Sequence, residues 1–460
     1  MLYLITLLIP LLLLTTFIPN TTQTQLTVAP TADVTTQKCD DSFGLQRNVL
    51  ERRFSTKTPY RAIANYNDTS PIYNGCHPTR IWSIIRHGTR NPSKSVILHA
   101  KTRLVELQSL ILQQTKPPAH LCADDLKQLR RWNWDHIEPD DEKLLVAEGE
   151  DELIELAERM QLRFPKLLPD LYNPEWYYMK YTATQRTLKS AQSFATGLFG
   201  RHRIHAITYP QPLKRDPVLR FYKLCSRWKT DVDKNPETMF NARSFYAEPA
   251  MQSAVEQVRS STQLSDELTD EDVQLMYTVC AFETAWQRHK SPSVWCRFFD
   301  VHSLSALEFA EDLEYYWNDG YGYDLTHRIA CPAIADMFAT IDTPGDRANA
   351  TFYFTHSGTL LKMLAHLGVA RDERPLTHKD FGKDRLWRTS EIDAFATNLA
   401  FVRYDCIEKE PQVLVMHQER VVRLPGCPQD DDLCPLSTLR RNYADSVERC
   451  DFEALCQAAN

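Results

Sequence analysis

Arg86, His87 and Arg90 lie close together in Ile81-Trp82-Ser83-Ile84-Ile85-Arg86-His87-Gly88-Thr89-Arg90-Asn91-Pro92, where an apolar, β-prone run ends at a glycine turn. The same residue types recur twice in the same local setting. Arg186 follows the strand-forming run Trp176–Thr182, and His356 follows Thr351–Thr355, with Ser357 and Gly358 making the turn. Guanidinium groups are planar, permanently charged forks that match phosphate oxygens. One imidazole can attack phosphorus in line while a second donates to the same phosphoryl group. The arginines would supply the charge stabilisation that such a transfer needs, so neither a metal nor a cofactor is expected. Taken singly, Arg186 reads as a surface helix residue and His356 as a strand-end histidine. The recurrence of one placement in three separate strand-to-helix units favours a shared site. No GxxxxGK[ST], GxSxG or HExxH pattern competes with it.

If these strands are neighbours in a parallel-type sheet, their C-terminal ends open into one crevice, where such sheets bind ligands. The helices that would follow them are legible. Thr184 is a candidate N-cap for a helix carrying Leu188, Ala191, Phe194, Ala195 and Leu198 on one face, which puts Arg186 in its first turn. Thr359–Leu367 reads as a helix stopped by Gly368. Residues 95–165 and 215–330 are mostly helix-like, and Glu150–Glu152 suit a helix N-terminus. Further strands are expected at Leu399–Tyr404 and Gln412–Met416. Strand units near both ends with helical blocks between them predict an α/β domain interrupted by helical insertions.

The chain has 460 residues, 43% hydrophobic and 25% charged, with a formal net charge of −7. That balance excludes the basic field of a general nucleic-acid binder, so any polyanion must be taken in a local pocket. The apolar N-terminal stretch, interrupted by Pro10, reads as a signal peptide over residues 1–24 rather than a transmembrane anchor. Twelve cysteines, none in a CxxC pair, suit disulfides, with short loops expected at Cys427/Cys434, Cys450/Cys456 and Cys280/Cys296. Two glycosylation sequons begin at Asn67 and Asn349, and a glycan at Asn349 would lie at the end of its strand away from His356. A secreted or secretory-lumen location follows as the expectation, with a small phosphorylated molecule as partner.

Arg86-His-Gly-Thr-Arg90-x-Pro92 resembles the active-site motif of the histidine acid phosphatases. Scattered segments, among them Thr56-Lys-Thr-Pro-Tyr60, Asp216–Tyr222 and Gly320-Tyr-Gly-Tyr323, resemble the family's multiple inositol polyphosphate phosphatases. The similarity runs from about residue 40 to the C-terminus. It implies a histidine phosphatase-like α/β sheet domain (40–100, 170–214 and 331–460) with a largely helical inserted domain (101–169 and 215–330). It also implies that His87 is the nucleophile forming phosphohistidine, that Arg86, Arg90, Arg186 and His356 clamp the phosphoryl group, and that Lys94 contacts other substrate phosphates. The substrates implied are inositol hexakisphosphate and lower inositol phosphates, with 2,3-bisphosphoglycerate as a further one.

One departure bears on turnover. The subfamily's second histidine begins His-Ala-Glu, and the wider family's His-Asp, whose carboxyl protonates the leaving alcohol; here the sequence is His356-Ser357-Gly358. Losing a general acid costs on the order of 10²–10⁴-fold in rate. Three outcomes follow: another acid (Glu391 or Asp393), a slow phosphatase preferring good leaving groups, or a low-activity protein that binds polyphosphorylated ligands. A general acid phosphatase is a further alternative. If the missing acid limits the rate, Gly358→Glu should accelerate it.

Overall fold

The computed structural model describes residues 47–342 and 347–457. The expected signal peptide and Cys39 lie outside the described residues. Among the described residues, seven strands form one sheet: β1 (Cys76–Arg86), β2 (Tyr177–Tyr181), β3 (Ala350–Thr355), β4 (Asn398–Cys406), β5 (Gln412–His417), β6 (Arg420–Val421) and β7 (Leu433–Pro435). Their order is β2-β3-β1-β4-β5-β6, with β7 also on β5. β2, β3 and β1 are parallel, with Ile81 through Arg86 opposite Ala350 through Thr355 and Tyr181 opposite Phe354. β4 and β5 run antiparallel. The sheet is therefore mixed: the three strands expected to carry the chemistry are its parallel part. The β6 and β7 segments, two and three residues long, are too short for a periodic signal.

Both faces of the sheet are covered, which explains why Ile81–Arg86 and Ala350–Thr355 are buried throughout rather than alternating. On one face, Ile81 and Ile85 pack with Phe352, Phe354 and the helices Ala147–Arg163 and Gln185–Phe199 through Leu153, Leu156, Ala157, Phe194 and Ala195. On the other, Trp82 and Ile84 meet the helices Cys331–Asp342 and Ser357–His366 through Ile334, Met337, Leu360 and Leu364, together with Leu219 and Phe221. A further core of helices, built from Ile97–Ile111 and Ala242–Tyr316, has Trp295, Phe309 and Leu313 at its centre. Packing thus assigns the 147–163 helix and the Leu219–Val232 stretch to the sheet, although each falls in a segment expected to be inserted.

Thr184 occupies the N-cap position, but its hydroxyl contacts Thr187 Oγ1 at 2.8 Å instead of capping a helix N–H. Gly368, at φ +78°, ends the Ser357–His366 helix region as expected. Disulfides join Cys280–Cys296 and Cys427–Cys434, as spacing suggests. The expected Cys450–Cys456 loop is not formed. Cys450 pairs with Cys331 and Cys456 with Cys225, tying the C-terminal helices back to the sheet-covering layer, and Cys76 joins Cys406 across β1 and β4. Sequence proximity favoured the short loop; tertiary packing brings the distant partners closer.

Candidate active site

His87 follows the C-terminal end of β1, and its backbone is fixed on both sides, N–H to Thr355 O at 3.0 Å and C=O from Ala396 N–H at 3.1 Å. The next turn cannot carry side chains. A Cβ on Gly88 would collide with the backbone of Gly149, and one on Gly149 would lie 2.7 Å from Thr89 N. This close approach lets buried Glu152 accept from Thr89 N (2.7 Å), Thr89 Oγ1 (2.9 Å) and Tyr60 N (2.8 Å). Glu152, read from the sequence as a helix-start acid, is thus the clasp that holds the turn after His87. Burial and the neighbouring Glu148 push its carboxyl up to about 7.

The imidazole of His87 is 3% exposed, and its Nδ1 lies 2.9 Å from its own turn's Gly88 O. A carbonyl only accepts, so Nδ1 carries the proton and Nε2 is left with the lone pair. Burial holds the ring neutral, well below the usual histidine range, reinforced by Arg186, Arg86, His356 and Arg90. This is the state an in-line nitrogen nucleophile requires.

His356, at the tip of β3, lies with its ring centroid 5.6 Å from that of His87. Arg186 Nη2 is 3.2 Å from His356 Nδ1, and Thr182 Oγ1 is 2.9 Å from Nε2. Guanidinium only donates, so here Nδ1 accepts and Nε2–H faces Thr182. Burial, then Arg186 and Arg220, keep this imidazole neutral as well.

Arg86 is 2% exposed, donates from Nη1 to Asp393 O, and lies over Phe395 at 4.7 Å. Arg90 lies 5.6 Å from the Phe282 ring centroid and donates to Asn91 O at 2.7 Å. Burial lowers Arg90 to about 9 and Arg186 to about 10, which leaves both charged at neutral pH. The Nε atoms of Arg86, Arg186 and Arg220 are buried without a hydrogen-bond partner in the protein. Buried donors of this kind are costly unless an oxyanion takes them. Arg220 is an addition to the expected set. Its charge acts on both Arg186 and His356, and its signal was present in the Asp216–Tyr222 segment without a role being drawn from it.

Lys94 is half-exposed and pairs with Asp140 at 2.9 Å, while Glu142 accepts from its backbone N–H at 3.1 Å. Glu142 in turn acts electrostatically on Arg90 and Arg186, which puts Lys94 at the rim of the cluster rather than within it.

Of the two carboxyls considered as alternative acids, Glu391 is tied to Arg52 and Arg388. Asp393 is fully buried, lies 3.5 Å from Arg86 Nη1, and accepts from Ser357 Oγ. A third carboxyl was missed. Asp319 closes the Val301–Asp319 helix, pairs with the buried Lys362, and has Oδ1 3.0 Å from where a Cβ on Gly358 would stand. Lys362 lies over the Trp228 and Tyr222 rings at 4.2 and 4.9 Å. Among the described residues, no group of three or more His, Cys, Asp or Glu side chains is arranged to hold a metal ion.

The model of the histidine phosphatase superfamily, branch 2, matches residues 80–424. The chain is 32% identical over 420 residues to a Drosophila melanogaster protein named multiple inositol polyphosphate phosphatase 1, covering 88% of each. It is 26% identical over 452 residues to the Homo sapiens protein of that name, covering 89% of this chain and 90% of the other. The fold is similar to that of the phytase from D. castellii (TM-score 0.74, 15% identity, 92% of each chain). It is also similar to that of Bifidobacterium longum multiple inositol polyphosphate phosphatase in complex with inositol hexasulfate (TM-score 0.66, 16% identity, 85% and 97%).

Proposed function

The chain belongs to the histidine phosphatase superfamily, branch 2, and on that footing we propose that it is a secreted phosphomonoesterase acting on inositol polyphosphates through a phosphohistidine on His87. The observation that carries the reading is the buried His87, its Nδ1 2.9 Å from Gly88 O so that Nε2 is left for attack, beside arginines drawn from two distant segments. Such a cluster favours a substrate with several phosphates over a singly charged one.

The phosphoryl group is held by Arg86, Arg90 and Arg186. Arg186 then turns from His356 Nδ1 to the phosphate, and Thr182 Oγ1 donates to Nε2, so that the other tautomer of His356 donates Nδ1–H to a phosphate oxygen. Nε2 of His87 attacks phosphorus in line; water later releases phosphate from the same nitrogen. The proposed role of Lys94 is contact with a second phosphate at the rim, released from Asp140. The names of the relatives support inositol polyphosphates as substrates, and 2,3-bisphosphoglycerate belongs in the same panel.

Secretory-lumen residence is supported by the disulfides and by the exposed Asn67 sequon. No helix among the described residues is long and apolar enough to cross a membrane.

Phosphate release from inositol hexakisphosphate in EDTA, with wild type and His87→Ala, tests the reading. Release that falls on the order of 10³-fold or more in the variant supports it. Release abolished by EDTA in the wild type counts against the metal-free route. The glycine at position 358 favours a second reading, a polyphosphate-binding protein of low turnover. Tight binding with no His87-dependent release would establish that one instead.

A further inference from the structure

Departure of an inositol alkoxide needs a proton, and neither histidine can supply it. His87 is the nucleophile, and His356 is held neutral with its donor directed at Thr182 or at the phosphate. Two carboxyls adjoin the turn that follows His356. Asp319 has both oxygens engaged, Oδ1 by Lys362 and Oδ2 by Asn318 Nδ2 at 3.1 Å. Asp393 differs. It is fully buried, its Oδ1 has no hydrogen-bond partner, and its Oδ2 meets the hydroxyl of Ser357, the residue directly after His356. Ser357 is itself partly exposed and opens the ten-residue helix Ser357–His366.

We propose that Ser357 and Asp393 form a proton relay to the leaving alcohol, with Ser357 Oγ as the group that touches the ester oxygen and Asp393 as the proton source behind it. The inference rests on the phosphohistidine reading above. As the His87 Nε2–P bond forms, the P–O(alcohol) bond breaks and its electron pair goes to the alcohol oxygen. In the acid form of Asp393 the contact reverses, with Oδ2–H donating to Ser357 Oγ and the hydroxyl turning to the ester. The departing oxygen then takes the hydroxyl proton of Ser357, and Ser357 Oγ takes the proton on Asp393 Oδ2. The products are the free alcohol, phosphohistidine, and an Asp393 carboxylate facing the Arg86 guanidinium 3.5 Å away. In the second half, attacking water gives a proton back through Ser357 to Asp393, the P–N bond breaks, and orthophosphate leaves.

The surroundings of Asp393 suit this cycle. Burial pushes its carboxyl up to about 6, opposed by Arg86 and Ser357 and aided by the negative charge of Asp319. It is thus protonated in part under mildly acidic conditions, and Arg86 stabilises the anion once the proton has left. The bland alternative is that Asp393 merely orients Arg86. The two differ in their dependence on the leaving group, because a good leaving group departs without a proton.

The test compares inositol hexakisphosphate with p-nitrophenyl phosphate in wild type, Asp393→Asn, Ser357→Ala and Asp319→Asn, using inhibition by inorganic phosphate to check the clamp. The expected result is a kcat loss on the order of 10²–10⁴-fold on the inositol ester for Asp393→Asn and Ser357→Ala. The loss on the nitrophenyl ester should be under about tenfold, and phosphate inhibition should not change. In the wild type, kcat on the inositol ester should fall as pH rises through about 6, and that limb should be absent with the nitrophenyl ester. Equal losses on both esters, no loss in Asp393→Asn, or a leaving-group-selective loss in Asp319→Asn alone would overturn the relay. An unaffected Ser357→Ala would remove the hydroxyl from it. A wild type that releases phosphate from neither ester would overturn the reading and the relay together. His87-dependent release with non-selective Asp393→Asn would overturn the relay alone.

Discussion

Gly358 shows how one residue reshapes the question of turnover. From the sequence it is a lost acid, and replacing it with glutamate should restore rate. In the folded chain a Cβ there would stand 3.0 Å from Asp319 Oδ1 and 3.7 Å from the Tyr222 ring. Gly358→Glu would press one carboxylate against another beside a buried lysine. The variant is expected to lose about 1–3 kcal/mol of stability, measured by denaturant unfolding, without a faster kcat on inositol hexakisphosphate. A stable, faster Gly358→Glu would show that Asp319 yields its place. Arg86, His87, Arg90, Arg186 and His356 were legible because each ends a recognisable strand unit. Asp319, Lys362 and the Ser357–Asp393 contact were not, because each is made by packing between segments with no shared pattern. Asp393 was visible as a carboxyl of the right type, but only the fold separates it from Glu391.

The strand–turn–helix unit is the element on which the site depends, and its tightest point lies away from the chemistry. Gly88 and Gly149 bring two backbones together so that Glu152 can hold Thr89 and Tyr60. Gly149→Ala should force that contact apart, lowering stability by about 1–3 kcal/mol and kcat by more than KM rises. Thermal unfolding and steady-state kinetics on one preparation check this; an unchanged kcat would mean that the turn holds His87 without the clasp. The five long strands were readable from their β-branched and aromatic runs. The assignment of the 147–163 helix to the sheet was not, since its apolar spacing fits either core.

Across the whole molecule, a chain of net charge −7 gathers Arg86, Arg90, Arg186 and Arg220 around two buried histidines. A positive cluster within a negatively charged chain would make affinity for a polyanion a local, salt-sensitive property. KM for inositol hexakisphosphate is expected to rise several-fold between about 0.05 and 0.5 M ionic strength, with kcat nearly constant. A salt-independent KM would place the substrate's charge elsewhere. The bulk charge restricted any polyanion site to a local pocket, whereas the long-range disulfides Cys225–Cys456 and Cys331–Cys450 had no signature in spacing.

The central claim is covalent: phosphorus passes through His87. Rapid quenching of the full chain with inositol hexakisphosphate into base, followed by peptide mass spectrometry, tests it most directly, because phosphohistidine survives alkali and is lost in acid. The expected result is a transient phosphate on the peptide carrying His87, absent from His87→Ala. Phosphate release without that adduct, or an adduct on any other residue, would contradict the account.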